Sequence, residues 1–118
     1  MVPSTRSRRA LIVSFLEVLD NLDRALASAA DRPEDPLVKG VSLVARSFAD
    51  VLRKEGLEEV ETDGPFDPHV HEALLSQPSE ADEGAVIAVI QKGYRHGDRV
   101  WRPARVVVAA PKGVAEER

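Results

Sequence analysis

The chain has 118 residues, a formal net charge of −4 and no cysteine. This length suits one modest domain or two small units, not a large enzyme built around a deep cleft, so we expect a binding protein. Disulfides and thiolate metal sites are excluded, and no segment has the form of a secretory signal or the ~20 apolar residues of a membrane span. We therefore expect a cytoplasmic protein without membrane contact, and the negative charge argues against general affinity for nucleic acids.

The first half of the sequence has the apolar spacing of two amphipathic helices. Leu11, Val18 and Ala25 lie beside the apolar repeat of the first helix and widen its apolar stripe. Asp35 followed by Pro36 has the form of the N-cap and the first residue of a second helix. That helix should end near Gly56. The apolar repeat of the first helix is Ile12, Phe15, Leu19, Leu22, Leu26 and Ala29, and that of the second is Leu37, Val41, Val44, Phe48 and Val51.

Two helices of about 20 residues, each about 30 Å long, joined by a short proline-rich turn form an antiparallel hairpin. Their apolar stripes are broader than two helices can cover, and the second half of the chain has apolar segments of its own. We therefore expect two copies to form a four-helix bundle about a two-fold axis. The side chains assigned to this dimer interface are Ile12, Phe15, Leu19, Leu22, Leu26, Val41, Val44 and Phe48.

Beyond Gly56 the pattern changes to short strands separated by turns. Leu57–Thr62 and the apolar run Ala85–Ile90 predict strands, and Val70–Leu75 predicts a brief helical or extended segment. Arg99–Ala110 predicts the last strand, with Pro103 at an edge or bulge because proline cannot donate to a ladder. The turns are expected at residues 63–65, 82–84 and 96–98.

These patterns predict an α+β fold in which a helical hairpin precedes a small domain of short β-strands. The hairpin and dimerisation bundle are expected over residues 10–56 and the β-domain over 57–110. Residues 1–9 and 111–118 are expected to be flexible tails, the first of them basic.

Two histidines are the only candidates for a metal site. His69 and His71, beside Asp67 and Glu72, have the donor types that zinc prefers. Without a third, distant ligand, such histidines are more often turn residues whose ring nitrogens bond backbone or water. The sequence also lacks a phosphate-binding loop, a nucleophile motif and a recognisable catalytic carboxylate pair. We therefore expect neither enzymatic activity nor a cofactor.

Charge is distributed unevenly along the second half. Residues 57–84 contain nine acids and no lysine or arginine, whereas residues 85–112 contain six lysines and arginines and one acid. Loose pairing of the two segments is the ordinary outcome. The alternative function is a nucleic-acid-binding β-domain, but the acidic neighbour and the absence of an RNA-binding motif argue against it. Its surface would comprise Lys92, Arg95, Arg99, Arg102 and Arg105 with Tyr94 and Trp101 as stacking rings.

A compound motif in the second half resembles the signature of the GrpE family. It comprises Phe66–Leu74, then eighteen residues, then Gly93-Tyr94 and Asp98–Val106. Upstream, Phe15–Leu26 resembles the first bundle helix of that family. Gly40-Val41 and Val51–Leu57 resemble the second helix and its exit. The resemblance covers about residues 10–110 and departs from the family at Trp101, where an aliphatic residue is usual.

The resemblance implies a homodimeric co-chaperone whose β-domain binds the ATPase domain of a DnaK-type chaperone. Such a protein is a nucleotide exchange factor, which opens the chaperone's cleft so that ADP leaves, and it supports protein folding and the stress response. Family members also carry a long N-terminal stalk helix. Only about ten residues precede the first predicted helix here, so we expect the stalk to be absent.

Four partner contacts follow from the resemblance by position: Gly40, Ile90, Arg99 and Val108. Each also has an ordinary structural interpretation. Ile90 and Val108 could belong to the strand core and Arg99 could be a solvated strand end, whereas Gly40 could permit close helix packing. We favour contact for Arg99, because arginine is enriched at interface hot spots.

Overall fold

The structure, a computed structural model, describes residues 5–111, and the side chains from residue 8 onward. These residues divide after Leu57 into a helical unit and a β unit. Residues 1–4 and 112–118, which belong to the two predicted tails, lie outside the described residues. The first helix, α1, runs from Thr5 to Ser28 and so includes residues 5–9, which we predicted to be a tail. No glycine or proline lies between Thr5 and Leu11, so nothing local stops the helix before its apolar stripe begins.

The second helix, α2, spans Pro36–Lys54 and has the ends that the sequence predicts. The Asp35 carboxylate accepts a hydrogen bond from the Leu37 backbone N–H at 2.8 Å, which satisfies one of the free donors at the start of the helix. At the other end, Gly56 has a φ of +90°, a conformation that favours glycine and turns the chain out of the helix.

The strands are β1 Leu57–Glu59, β2 His71–Pro78, β3 Val86–Gln91, β4 Tyr94–His96, β5 Arg99–Arg102 and β6 Ala104–Ala110. They form two three-stranded sheets. The first has the order β1-β4-β5, and the second has the order β2-β6-β3. In the second sheet the central strand β6 runs parallel to β2 and antiparallel to β3.

The strand prediction was correct in outline and wrong in two places. Residues 99–110 do not form one strand, because the chain breaks at Pro103 and its two halves, β5 and β6, join different sheets. Pro103 has no N–H for a ladder, which makes it a natural break. The predicted strand Leu57–Thr62 is shorter than expected, since only Leu57–Glu59 is in a ladder. The ambiguous segment after Val70 is extended and forms β2.

A small apolar core holds the β unit together. Its fully buried members are Val60, Ala104 and Val106, and partly buried apolar side chains pack against them, namely Phe66, Val70, Val86 and Val108. Gly93 lies against the backbone where β6 begins. A Cβ atom at Gly93 would lie 2.2 Å from the Ala104 nitrogen and 2.7 Å from the Pro103 carbonyl carbon. Only glycine fits there.

Replacing Gly93 with alanine should therefore destabilise the β unit by about 3 kcal/mol or more, because the clash is with backbone that cannot move aside. Trp101 is the only tryptophan of the chain and lies in β5, so its fluorescence during urea unfolding reports on this unit. The matched control is Gly64→Ala, since nothing lies within 4 Å of a Cβ built there. Equal midpoints for the two variants would contradict the close approach.

Candidate functional site

The loop that contains both histidines is fixed by hydrogen bonds to backbone. The buried His71 ring accepts from the Asp67 backbone N–H through Nδ1 at 2.9 Å and donates to the Glu61 carbonyl through Nε2 at 2.7 Å. His69 is exposed, and its backbone N–H and ring nitrogen contact the Asp67 carboxylate at 2.9 and 3.0 Å. The pKa of the Asp67 carboxyl lies below its usual value. The main cause is the hydrogen bond from the His69 backbone N–H, and the second is the hydrogen bond with the His69 ring.

This geometry supports the interpretation of His69 and His71 as turn residues. Both nitrogens of His71 are engaged with backbone groups, so its ring has no lone pair to offer a metal ion. Within residues 8–111, no group of three or more histidine or acidic side chains is placed to hold a metal ion. The loop instead positions β2, which begins at His71.

Three of the basic side chains considered for nucleic-acid binding are occupied by contacts within the β unit. Arg95 Nη2 lies 3.0 Å from Glu61 Oε1, and Arg105 Nε lies 3.1 Å from Glu72 Oε1. Arg102 donates to the Lys92 carbonyl from Nε at 3.0 Å and from Nη2 at 2.6 Å. Its guanidinium carbon also lies 5.6 Å from the centre of the Tyr94 ring.

Arg99 differs from these arginines. It is exposed at the start of β5, and its side chain makes no hydrogen bond or ion pair with any residue that the structure describes. Its cross-strand neighbour is His96. The His96 ring stacks on Trp101 with 4.8 Å between ring centres and 7° between planes. The unpaired Arg99 side chain therefore lies on the same β4–β5 hairpin as a stacked pair of rings, of which His96 is exposed and Trp101 is partly buried.

The other predicted partner contacts lie elsewhere. Ile90 is on the edge strand β3 and is 51% exposed, whereas Val108 is on the central strand β6 and packs against the core. Both belong to the second sheet, and Arg99 belongs to the first. Gly40 is exposed on α2 with open space around the position of a Cβ, so packing within the described chain does not require glycine there. Binding by these four residues stays a prediction.

Apolar side chains of the hairpin divide into a covered set and an exposed set. Ile12 and Leu19, assigned to the dimer interface, are buried within the single chain, and Leu22, Leu26, Val41 and Phe48 are partly buried. Phe15 and Val44 remain 44% and 54% exposed, and the Phe15 ring meets Phe48 edge to face at 6.1 Å. The exposed set comprises Leu11, Phe15 and Val18 on α1, and Leu37, Leu43, Val44 and Val51 on α2. We call this set the exposed apolar face.

Neither described helix contains a stretch long and apolar enough to cross a membrane.

Comparison with known proteins identifies the family. The GrpE family model matches residues 5–110, which include both units. The chain belongs to the GrpE family.

Similar proteins come from several bacteria. Protein GrpE of Parageobacillus thermoglucosidasius is 42% identical over 104 residues, which cover 86% of this chain and 46% of that protein. Protein GrpE of Alkaliphilus oremlandii is 41% identical over 101 residues, with 84% and 54% covered. Protein GrpE of Halalkalibacterium halodurans is 41% identical over 105 residues, with 86% and 54% covered. The chain spans about half the length of the curated relatives it matches.

The sequence indicated Arg99 as a candidate contact in this GrpE-family chain but did not indicate the aromatic pair beside it. His96 and Trp101 are five residues apart on different strands, and only the hairpin brings their rings together. The departure of Trp101 from the family signature was the one signal that could have drawn attention to this place. In the helical hairpin, the sequence showed that Leu11 and Val18 widen the apolar stripe of α1. It did not show that their side chains stay exposed.

The Glu61–Arg95 pair predicts how this GrpE-family chain responds to acid. The hydrogen bond from Arg95, and then its charge, hold the pKa of Glu61 below the ordinary value. The unfolded chain therefore binds more protons in acid, and the free energy of unfolding falls as the pH drops through the folded pKa. This contribution is fully present above the ordinary glutamate pKa of about 4.3.

Glu61→Gln should make the acid decline in stability shallower below about pH 5, because the titrating carboxylate is gone. Urea unfolding followed by Trp101 fluorescence at a series of pH values measures it. Glu59→Gln is the matched control, since Glu59 is exposed on β1 and makes no ion pair with a described residue. If both variants show the wild-type acid decline, the pair does not contribute to it.

Proposed function

We propose that this GrpE-family chain is an adenine nucleotide exchange factor that accelerates ADP release from a DnaK-type chaperone. It would act in the cytoplasm as a non-enzymatic co-chaperone, in support of protein folding and the stress response. The observation that carries the proposal is the family match over residues 5–110, which includes the helical unit and the β unit.

The proposed mechanism is differential binding to two forms of the chaperone's ATPase domain. A surface of the β unit that fits the open nucleotide cleft better than the closed one shifts the population toward the open form. By linkage, the affinity of the chaperone for ADP falls by the same factor by which ADP weakens the binding of the co-chaperone. ATP then binds, favours a form that holds the co-chaperone weakly, and releases it. No covalent bond changes in this cycle.

We infer that Arg99 contacts the chaperone. The fold does not use its charge, because it has no ion-pair partner among the described residues, and it lies at the exposed end of a hairpin. A guanidinium in this position can form a bidentate pair with a carboxylate of the partner. Ile90, exposed on β3, can add apolar contact.

The exposed apolar face supports the proposal of a homodimer. Its members recur every three or four residues along α1, and on α2 Leu37, Val44 and Val51 recur every seven residues with Leu43 beside them, so each set forms one stripe on its helix. An apolar face of this kind on a hairpin of two helices is typical of an interface. A second copy, related by a two-fold axis, would cover the face with its own and complete a four-helix bundle.

The exchange proposal is tested by stopped-flow measurement of labelled ADP released from a DnaK-type chaperone. We expect the chain to accelerate release and to show no ATPase activity of its own. Arg99→Glu should slow the accelerated release at least about tenfold at limiting concentration, equivalent to ~1.4 kcal/mol of lost binding. The melting temperature should not change, because Arg99 is exposed and unpaired.

The matched control is Arg24→Glu, which makes the same change of charge on an exposed arginine of α1; it should accelerate release as the wild type does. Release at the wild-type rate with folded Arg99→Glu would remove Arg99 from the site. No acceleration by the wild type with several DnaK-type chaperones would contradict the exchange proposal itself.

The dimer is tested by Val44→Lys in sedimentation-velocity experiments at micromolar concentration. Val44 is 54% exposed in the single chain, so lysine there should leave the hairpin folded but place a charge inside a dimer interface. We expect the wild type and the control Glu17→Lys to sediment as dimers and Val44→Lys as a monomer. Leu19→Lys would be less informative, since Leu19 is buried within the chain. A monomeric wild type would contradict the bundle.

A further inference from the structure

The β4–β5 hairpin brings three side chains, His96, Arg99 and Trp101, together on one part of the β unit. His96 and Arg99 face each other across the two strands and are both exposed. Trp101, two residues beyond Arg99, is partly exposed and stacks on His96 at 4.8 Å with nearly parallel rings. Strand β5 is an edge of its sheet, so this cluster lies at the border of the β unit. We call His96, Arg99 and Trp101 the hairpin cluster.

The composition and rigidity of the hairpin cluster are those of a protein-binding hot spot. Tryptophan and arginine are the residues most enriched where a few side chains dominate binding energy. Because the two rings stack on each other, each has less side-chain freedom to lose on association than an isolated ring would. The cluster also combines flat apolar surface with one unpaired positive charge, which suits a partner surface that offers a carboxylate beside aliphatic groups.

The same geometry disfavours a nucleic acid as the ligand. Single-strand binding needs several cations along the backbone and open ring faces for the bases. Here Arg95, Arg102 and Arg105 are engaged within the β unit. One face of Trp101 is already covered by His96. One free arginine and one partly covered ring cannot track a strand.

We propose that the hairpin cluster is a single contact point for an acidic and partly apolar patch on the chaperone's ATPase domain, in which Trp101 determines how tightly this chain holds its partner. The proposal rests on the proposed exchange function and extends it from Arg99 to the aromatic pair. Arg99 pairs with a carboxylate of the patch, and the exposed ring edges of the stack contact aliphatic groups beside it.

The single tryptophan makes a direct test possible. The chain is labelled with 5-fluorotryptophan, so that its ¹⁹F spectrum contains one resonance, and is titrated with the nucleotide-free ATPase domain of a DnaK-type chaperone. We expect the resonance to shift or broaden and to saturate at the concentration that saturates ADP release. Trp101→Leu should weaken binding about tenfold and His96→Ala about threefold, because each removes part of the stack.

Leu74→Ala is the matched control, since Leu74 is an exposed apolar residue on β2 of the other sheet, and it should bind as the wild type does. Circular dichroism establishes that each variant is folded. If Trp101→Leu does not fold, the resonance of the labelled wild type and the affinity of His96→Ala still test whether the hairpin cluster contacts the ATPase domain.

The outcomes separate this inference from the exchange proposal. An unchanged resonance at saturation, with ADP release accelerated, would overturn the hairpin cluster as a contact and leave the exchange function standing. Absence of both binding and acceleration would overturn the exchange function and the inference with it. A shift of the resonance with a mixed-sequence single-stranded oligonucleotide at physiological salt, but not with the ATPase domain, would overturn the protein contact in favour of nucleic acid.

Discussion

The β unit depends on the close approach of the backbone at Gly93 to the backbone at Ala104. Because Gly93 has no side chain, the segment that leads into β4 lies directly on the start of β6, and its carbonyl accepts the Val60 N–H at 2.9 Å. The neighbouring Lys92 carbonyl accepts two hydrogen bonds from Arg102. These contacts fix where the β4–β5 hairpin leaves the core, and so they fix where Arg99 is presented.

Charge pairing in the β unit has more effect on what the surface can bind than on stability. Exposed ion pairs contribute little to the free energy of folding, typically ~0–1 kcal/mol each. Each pair nevertheless removes a cation from the binding surface, as Glu61 does for Arg95 and Glu72 does for Arg105. What remains is one unpaired arginine on the hairpin. The β unit nevertheless stays acidic on balance, with ten carboxylates against five lysine and arginine side chains in residues 58–111, so Arg99 is a localised positive charge on an acidic surface.

Features set by neighbouring residues could be predicted from the sequence, and features set by distant partners could not. The ends of α2 follow from Asp35 and Gly56, whose effects extend over a few residues. Pro103 was recognised as a ladder breaker, but the assignment of its flanks to different sheets depends on distant strands. Leu11 and the buried Ile12 belong to the same apolar stripe of α1, so the spacing of apolar residues could not show which of the two side chains stays exposed. At the site, a positional resemblance indicated Arg99, whereas the stack on Trp101 needed the hairpin geometry.

The two proposed surfaces differ in chemistry as permanent and transient interfaces do. The exposed apolar face is aliphatic and aromatic along two helices, and interfaces of obligate dimers are likewise more apolar than the rest of the protein surface. The hairpin cluster is small and combines charge with a pre-stacked aromatic pair. An exchange factor must release its chaperone once ATP binds, so a contact concentrated in a few residues is suitable, because a modest change in the partner's shape removes most of its energy. A broad apolar contact would lose only a fraction of its binding energy from the same movement and would retain the partner.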